Sequence, residues 1–377
     1  MPRPTDPYQD DDRDGLEDLP PTPAVHYAEQ SLLGALLLEP HRLADIGSLQ
    51  ADHFSSHTHG ALFAAMRTVP PPDPDAHRTD PAWLNTALDT ARPEAPGLTA
   101  SYLHTLIQVC PWPKHAPAYA TMIRADHARR MLRVHAERLA QTAADITLPD
   151  PAAATLAQAD TLGRFLEDLS GQFAPHPGSL PRTPLPATPP REGGEEAGDE
   201  ERLLLATATA HPTELKTMRW LQPEDFTLPL HGALWQCLAA LVHRGAPVDP
   251  VTVLWEAQHR GLLADGPTPG DLMDVVSTPV GSPEYWGERV LQRALLARAH
   301  SVAARIAAYT VDPANTPHQL ITGSRRALAD LTALRTRWNH ATAPAPAAKP
   351  RQTRAAAAPP RASPPRTAAP SPARASR

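Results

Sequence analysis

Apolar residues recur at helical spacing along most of the chain, and the longest stretches predict helices. Residues 28–38 are largely apolar and are followed by Pro40, which cannot comfortably extend a helix. Residues 119–146 place Leu132 and Leu139 seven positions apart, on one face of a helix. No alternating run of valine, isoleucine and threonine predicts a strand, and no Asn-Gly pair predicts a hairpin turn. The pattern therefore predicts an all-α fold.

One segment of the chain occurs twice. Residues 28–69 align with residues 200–241 at a constant offset of 172 without a gap, and twelve of these 42 positions are identical. The best-matched stretches read LQADHF followed by HGALF in the first copy, and LQPEDF followed by HGALW in the second. Because this period is far too long for a solenoid repeat, each copy is predicted to be a whole domain.

Each copy continues into two long helical stretches that are separated by a proline break, at 148–151 and at 311–313. The spacing predicts an αα-hairpin that projects from a compact helical head. Its apolar stripe is a candidate contact with a partner protein, with the other hairpin of the same chain or with a second chain, and internal packing of the hairpin is the plainer alternative. The candidate contact residues are Leu132, Leu139, Leu166, Leu169, Leu295, Ile306, Leu328 and Leu331.

Composition divides the chain into five predicted parts. Proline accounts for 46 of the 377 residues, so part of the chain cannot be packed core. Charged, low-complexity ends and a Pro/Gly-rich middle are typical of tails and linkers. The parts are an acidic disordered tail (1–26), a first module (27–173), a Pro/Gly-rich linker (174–199), a second module (200–338) and a basic disordered tail rich in alanine, proline and arginine (339–377).

The C-terminal tail is the candidate contact with nucleic acid. Residues 342–377 hold seven basic residues and no acidic residue. Such charge follows a phosphate backbone through counterion release, but the tail has no aromatic side chain to stack on bases. We expect weak, sequence-independent DNA binding, with a purely solubilising tail as the alternative. The candidate residues are Lys349, Arg351, Arg354, Arg361, Arg366, Arg374 and Arg377.

The cysteines and the N-terminus indicate the compartment. Cys110 and Cys237 are isolated and form no Cys-x-x-Cys motif, which suits a reducing cytoplasm. The acidic N-terminus is unlike a secretory signal, and no apolar run is long enough to span a bilayer. We expect a cytoplasmic protein, free to associate with the nucleoid, without membrane contact.

Three histidines, His53, His57 and His59, lie close together in the first copy. Histidines at i and i+4 can bind zinc on a helix, but the second copy keeps only the third of them, as His231, and no cysteine is nearby. No metal site is therefore predicted. The repeated histidine is interpreted as a helix-start residue or a buried hydrogen-bonding residue.

The repeated residues resemble the N-terminal domain of DnaB-type replicative DNA helicases. Residues 28–38 match the A-E-Q-x-L-L-G-x-L-L-L opening of that domain almost verbatim, and residues 59–63 match its H-x-x-[IL]-[FY] helix start. Tyr119 begins the hairpin, as in the family. The second copy has a degraded opening but keeps Asp225-Phe226, the helix start at 231–235, the G-x-P-[IV]-D-x-x-T segment at 245–252 and Tyr285.

The resemblance implies a helical head with a hairpin, pairing of hairpins between subunits and contact with a primase or a replicative helicase. It does not carry over the helicase motor, because the sequence has no G-x-x-x-x-G-K-[ST] phosphate loop and none of its three lysines follows a glycine. The repeated Glu29, interpreted as an acid near the start of its own helix, has no second carboxylate to form a catalytic dyad. We therefore expect no catalytic residue, no cofactor and no ATPase activity.

The sequence is compatible with three functions. The first is a non-catalytic adaptor of the replication machinery that binds a helicase, a primase or a second copy of itself. The second is a DNA-binding protein whose basic tail supplies the affinity. The third is an accessory subunit of a helicase whose motor is on another chain.

Overall fold

The computed structural model describes residues 22–173, 179–184, 194–264 and 266–343. These residues form thirteen α-helices and no β-strand, so the prediction of an all-α fold is confirmed. The helices of the first module are α1 (Ala24–Leu38), α2 (His57–Thr68), α3 (Pro74–Thr79), α4 (Ala82–Ala91), α5 (Ala100–Val109), α6 (Ala116–Ala144) and α7 (Pro151–Gln172). Those of the second module are α8 (Glu195–Ala210), α9 (Pro229–Arg244), α10 (Pro250–His259), α11 (Pro269–Val276), α12 (Pro283–Val311) and α13 (Pro317–Ala341).

The ends of the helices follow from local sequence. Seven of the thirteen helices in the described ranges begin at proline, whose missing N–H is one of the donors that a first turn leaves unpaired. Asp150 caps α7 by accepting from the N–H of Ala153 at 2.9 Å. Helix α1 reaches three residues into the predicted acidic tail, α8 begins inside the predicted linker, and α13 continues to Ala341.

Each module has a head built around its first helix. In the first head, α1 packs between α5 and α6, and Leu32, Leu33 and Leu36 are fully buried. In the second head, α8 packs against α11 and α12 and buries Leu204 and Leu205. The near-continuous apolar opening of the sequence is thus explained by a helix that is covered on several sides.

The two hairpins, α6–α7 and α12–α13, pack against each other within the chain. Helix α6 lies along α12, and side chains from both hairpins form one shared apolar core. Helices α7 and α13 run antiparallel, since Asp160 pairs with Arg335 at 2.6 Å while Ser170 accepts from Arg325 at 2.9 Å. Of the arrangements that the sequence left open, the structure contains pairing within one chain.

Part of the segment between the modules lies against the second hairpin. The N–H of Arg182 donates to the side-chain oxygen of Asn315 at 3.1 Å, and the Thr183 hydroxyl donates to Asp312 at 2.7 Å. Pro181 covers Gly323, where an added Cβ would lie 2.3 Å from the proline ring. Residues 179–184 therefore follow the turn between α12 and α13.

None of the helices in the described ranges combines the length and the apolar character needed to cross a bilayer.

Candidate protein interaction site

The L-Q-x-x-x-F motif of both copies forms a capped turn that precedes α2 and α9. The backbone N–H of Gln50 donates to His53 Nδ1 at 3.2 Å, and the N–H of Gln222 donates to Asp225 at 2.8 Å. The leucine and the phenylalanine of the motif are buried in each copy. This part of the repeat serves the fold.

The repeated glutamate and histidine connect α1 to the start of α2. Glu29 Oε2 accepts from His59 Nδ1 at 2.7 Å, and Oε1 accepts from the backbone N–H of Ser55 at 2.5 Å. The other ring nitrogen of His59 is hydrogen-bonded to the Tyr102 hydroxyl at 2.7 Å. Burial alone raises the pKa of Glu29, but the hydrogen bonds from His59 and Ser55 outweigh it and lower that pKa.

The second copy repeats this connection. Glu201 accepts from His231 Nδ1 at 2.8 Å and from the N–H of Thr227 at 2.5 Å. The interpretation of the repeated histidine as a buried hydrogen-bonding residue is confirmed in both copies. The interpretation of Glu29 as an acid at its own helix start is wrong, because it lies in the second turn of α1 and binds the segment before α2.

The glycine after the repeated histidine is needed for close packing. A Cβ on Gly60 would lie 2.5 Å from the carbonyl oxygen of Ala51, and one on Gly232 would lie 2.4 Å from that of Pro223. No side chain fits at that distance. The glutamate, histidine and glycine shared by the two copies therefore stabilise the heads.

Six of the eight predicted hairpin residues belong to the core that the two hairpins share or pack against it, and Leu169 lies with Ile321 of α13 in a smaller cluster. Leu295 of α12 is buried outside these two clusters. Seven are buried, and Leu328 is half-buried at the edge. Leu132 and Leu139 of α6 share a core with Ile306 of α12. The apolar stripe is thus covered by the other hairpin of the same chain.

Arg129 of α6 binds the end of α12. Its guanidinium donates to the carbonyl oxygens of Asp312 at 2.6 Å and Asn315 at 2.5 Å, and over longer distances to those of Thr310 and Pro313. The last carbonyls of a helix lack intrahelical partners and carry the negative end of its dipole. Burial lowers the pKa of Arg129. The side chain belongs to the first module and supplies hydrogen bonds to these carbonyl oxygens of the second module.

A groove of about 830 Å³ runs between α7 and α13, which we call the bundle groove. Apolar and small side chains line it, with charged side chains among them. Gly163 faces open space, since a Cβ there would meet nothing within 4 Å. The lining residues are Ala157, Ala159, Asp160, Gly163, Arg164, Leu166, Glu167, Arg325, Leu328, Ala329, Leu331, Thr332 and Arg335. Because both modules contribute to it, the groove exists only when the hairpins are paired.

Five of the eight arginines in the second hairpin are paired with acids. Arg289 and Arg293 both bind Glu200, and Arg337 makes a two-pronged contact with Asp225. Arg305 forms a single ion pair with Asp330, and Arg335 forms one with Asp160. These charges are partly neutralised, which leaves the tail as the candidate for DNA contact.

The structure separates the three histidines that lie close in the sequence. His53 packs on His127 with ring centroids 4.5 Å apart, His57 is exposed, and His59 is buried against Glu29. Burial lowers the pKa of both His53 and His127. The nucleic-acid candidates lie outside the described residues, and they are Lys349, Arg351, Arg354, Arg361, Arg366, Arg374 and Arg377.

Two contacts could not be found from the repeat. Tyr102, which binds His59, lies 43 residues away from it, and Arg129 contacts residues more than 180 positions away. Neither position belongs to the matched 28–69 segment, so no signal in the alignment marks them.

Comparison with protein-family models identifies the DnaB-like helicase N-terminal domain twice, over residues 22–125 and over residues 195–288. Each match covers one head and the beginning of the first hairpin helix, and together they cover just over half of the chain. No solved structure matches the chain. The protein therefore belongs to the family of DnaB-like helicase N-terminal domains, of which it carries two copies.

Proposed function

We propose that this chain is a non-catalytic adaptor of DNA replication, which presents a paired set of helicase N-terminal modules to a replicative helicase or a primase. The observation that carries the proposal is the pairing of the two hairpins within one chain. In the family that the sequence resembles, hairpins pair between subunits. Here one polypeptide supplies both partners, so the paired surface forms without a second chain.

The bundle groove is the proposed contact surface for the partner. Its floor is apolar through Leu166, Leu328 and Leu331, and two arginines on its walls, Arg164 and Arg325, are exposed or partly exposed. A partner helix with an apolar stripe and acidic flanks complements this arrangement. The alternative, a protein that works mainly by binding DNA, has less support than the adaptor. Its candidate contacts are limited to the basic tail, because most arginines of the second hairpin are paired with acids.

We also propose that the chain has no ATPase activity of its own. The support is the sequence, which lacks a phosphate loop and has three lysines, none after a glycine. The test is DNA-stimulated ATP hydrolysis by the purified chain, where turnover above that of a buffer control contradicts the proposal. Stimulation of a separate helicase by the chain would instead favour the accessory-subunit alternative.

Partner binding is tested with two matched variants on α7. Gly163→Arg fills the bundle groove, whereas Gly171→Arg places the same side chain on the same helix outside it, and both positions have open space for a Cβ. Helicase and primase from the same source are titrated against the immobilised chain. We expect the helicase or the primase to bind the wild type and Gly171→Arg with equal affinity. The same partner should bind Gly163→Arg at least about tenfold more weakly, because the new arginine places a charge in an apolar contact. Equal binding by the two variants contradicts the groove, and no binding of either partner contradicts the adaptor.

A further inference from the structure

The first head brings three side chains with metal-ligating atoms together, which no pattern in the sequence groups. These are His26 and Glu29 of α1 and His59 of α2, and one ligand atom from each lies within 4.8 Å of the others. Within the described ranges, this is the one group of three such residues that meets that distance. His26 and Glu29 are three positions apart, so they lie on the same face of α1.

We infer that His26, Glu29 and His59 form a binding site for a divalent transition-metal ion, with zinc as the best-matched ion. Two imidazoles and one carboxylate are a donor set that Zn²⁺ accepts, and three protein ligands leave the fourth tetrahedral position to water. The site is distinct from the bundle groove and does not depend on the proposed function.

The ligands already have the outer contacts that a metal site needs. A metal on His59 Nδ1 requires the proton on Nε2, and the Tyr102 hydroxyl lies 2.7 Å from Nε2 and can accept it. Glu29 Oε1 is held by the Ser55 N–H at 2.5 Å, which leaves Oε2 for the metal. The ion would replace the proton that Glu29 and His59 now share, and their 2.7 Å separation would open to roughly 3.4 Å to give normal zinc–ligand lengths.

Access to the site is through His26. Glu29 and His59 are buried, whereas His26 is half-buried on the first turn of α1, with its ring centroid 5.1 Å from that of His59. A metal ion can therefore enter from the solvent side, next to His26. The bound ion would connect α1 to the start of α2 at the point where the hydrogen bonds now connect them.

The second head supplies an internal comparison. Glu201 and His231 reproduce the pair at 2.8 Å, but the position equivalent to His26 is Gly198 at the same offset of 172. A Cβ on Gly198 meets only a side-chain carbon of Leu228 at 3.5 Å, an ordinary contact. The second head thus lacks one ligand, and its first helix has room for a Cβ at that position.

The experiment uses the full chain, stripped of metal with a chelator and titrated with Zn²⁺ against a chromogenic competitor. We expect one site per chain, lost or weakened at least about tenfold in His26→Ala and weakened about 10–100-fold in Tyr102→Phe, which leaves the ligands in place. His57→Ala removes an exposed histidine that is outside the site and should bind zinc as the wild type does. Gly198→His should raise the stoichiometry to two.

The readout beyond affinity is the visible spectrum with Co²⁺, which reports a tetrahedral site when it replaces zinc. We expect that signal in the wild type and in His57→Ala, and its loss in His26→Ala. The melting temperature of His26→Ala in chelator should equal that of the wild type, because no hydrogen bond is removed, so a binding defect cannot be ascribed to misfolding. Equal zinc affinity of His26→Ala and the wild type, or the absence of any site in the wild type, overturns the inference.

Discussion

Arg129 gives the sharpest test of the pairing between the two modules. The perturbation is Arg129→Met, which keeps most of the apolar stem and removes the guanidinium. The two short bonds, to the carbonyls of Asp312 and Asn315, are made by a charged donor, and such bonds contribute about 1.5–3 kcal/mol each. The two longer bonds add less, and the burial of the guanidinium offsets part of the total. We expect the free energy of unfolding to fall by about 2–3 kcal/mol.

The matched control is Arg133→Met, one turn further along α6. Arg133 is largely exposed and pairs only with Glu137 of the same helix at 2.8 Å, an interaction that contributes about 0.3–0.5 kcal/mol. Urea unfolding of both variants, followed by circular dichroism, measures the difference. If the two variants lose the same free energy, the contact of Arg129 with the end of α12 does not stabilise the paired hairpins.

Three further predictions follow from the heads, the bundle and the tail. Gly60→Ala should lower the melting temperature by several degrees because a Cβ has no room, whereas Gly171→Ala should not, and differential scanning calorimetry compares them. Burial lowers the pKa of His135 below its ordinary 6.5. The stability that this residue contributes should therefore be full above pH 6.5 and should fall as the pH drops from 6.5 to the lowered pKa of the folded state. Urea midpoints from pH 8 to pH 4 check this, and a flat profile contradicts it. Deleting residues 342–377 should abolish low-salt DNA binding in an electrophoretic shift assay, and unchanged binding would place the DNA surface on the modules.

The helices were predictable because their cause is local. Apolar spacing, prolines at helix starts and proline breaks are all visible in the sequence. They place the long helices within a few residues of their observed bounds. The repeated histidine is also close in sequence to the L-Q-x-x-x-F motif, since His59 lies five residues after Phe54. Its recurrence in both copies supports the interpretation of this histidine as a helix-start residue or a buried hydrogen-bonding residue.

The contacts between distant segments could not be predicted in the same way. An apolar stripe such as that through Leu132 and Leu139 has the same pattern whether it is covered by its own hairpin, by the other hairpin or by another chain. Arg129 is one of several arginines in α6, and its neighbouring residues give no indication that it binds the carbonyl oxygens of Asp312 and Asn315, more than 180 residues later. The His26 cluster depends on how α1 and α2 cross, so it appears only in three dimensions.

Pairing inside one chain has a consequence for how the two halves can evolve. In a symmetric dimer every substitution occurs twice, once on each side of the axis, so a change that suits one side is imposed on the other. Here each half is encoded separately. Arg129 is the tenth residue after Tyr119, whereas the tenth residue after Tyr285 is Leu295. Within the described ranges, an arginine at this position of the hairpin therefore binds the end of the opposite helix on one side only. Each half is free to acquire its own contacts while the shared core keeps them together.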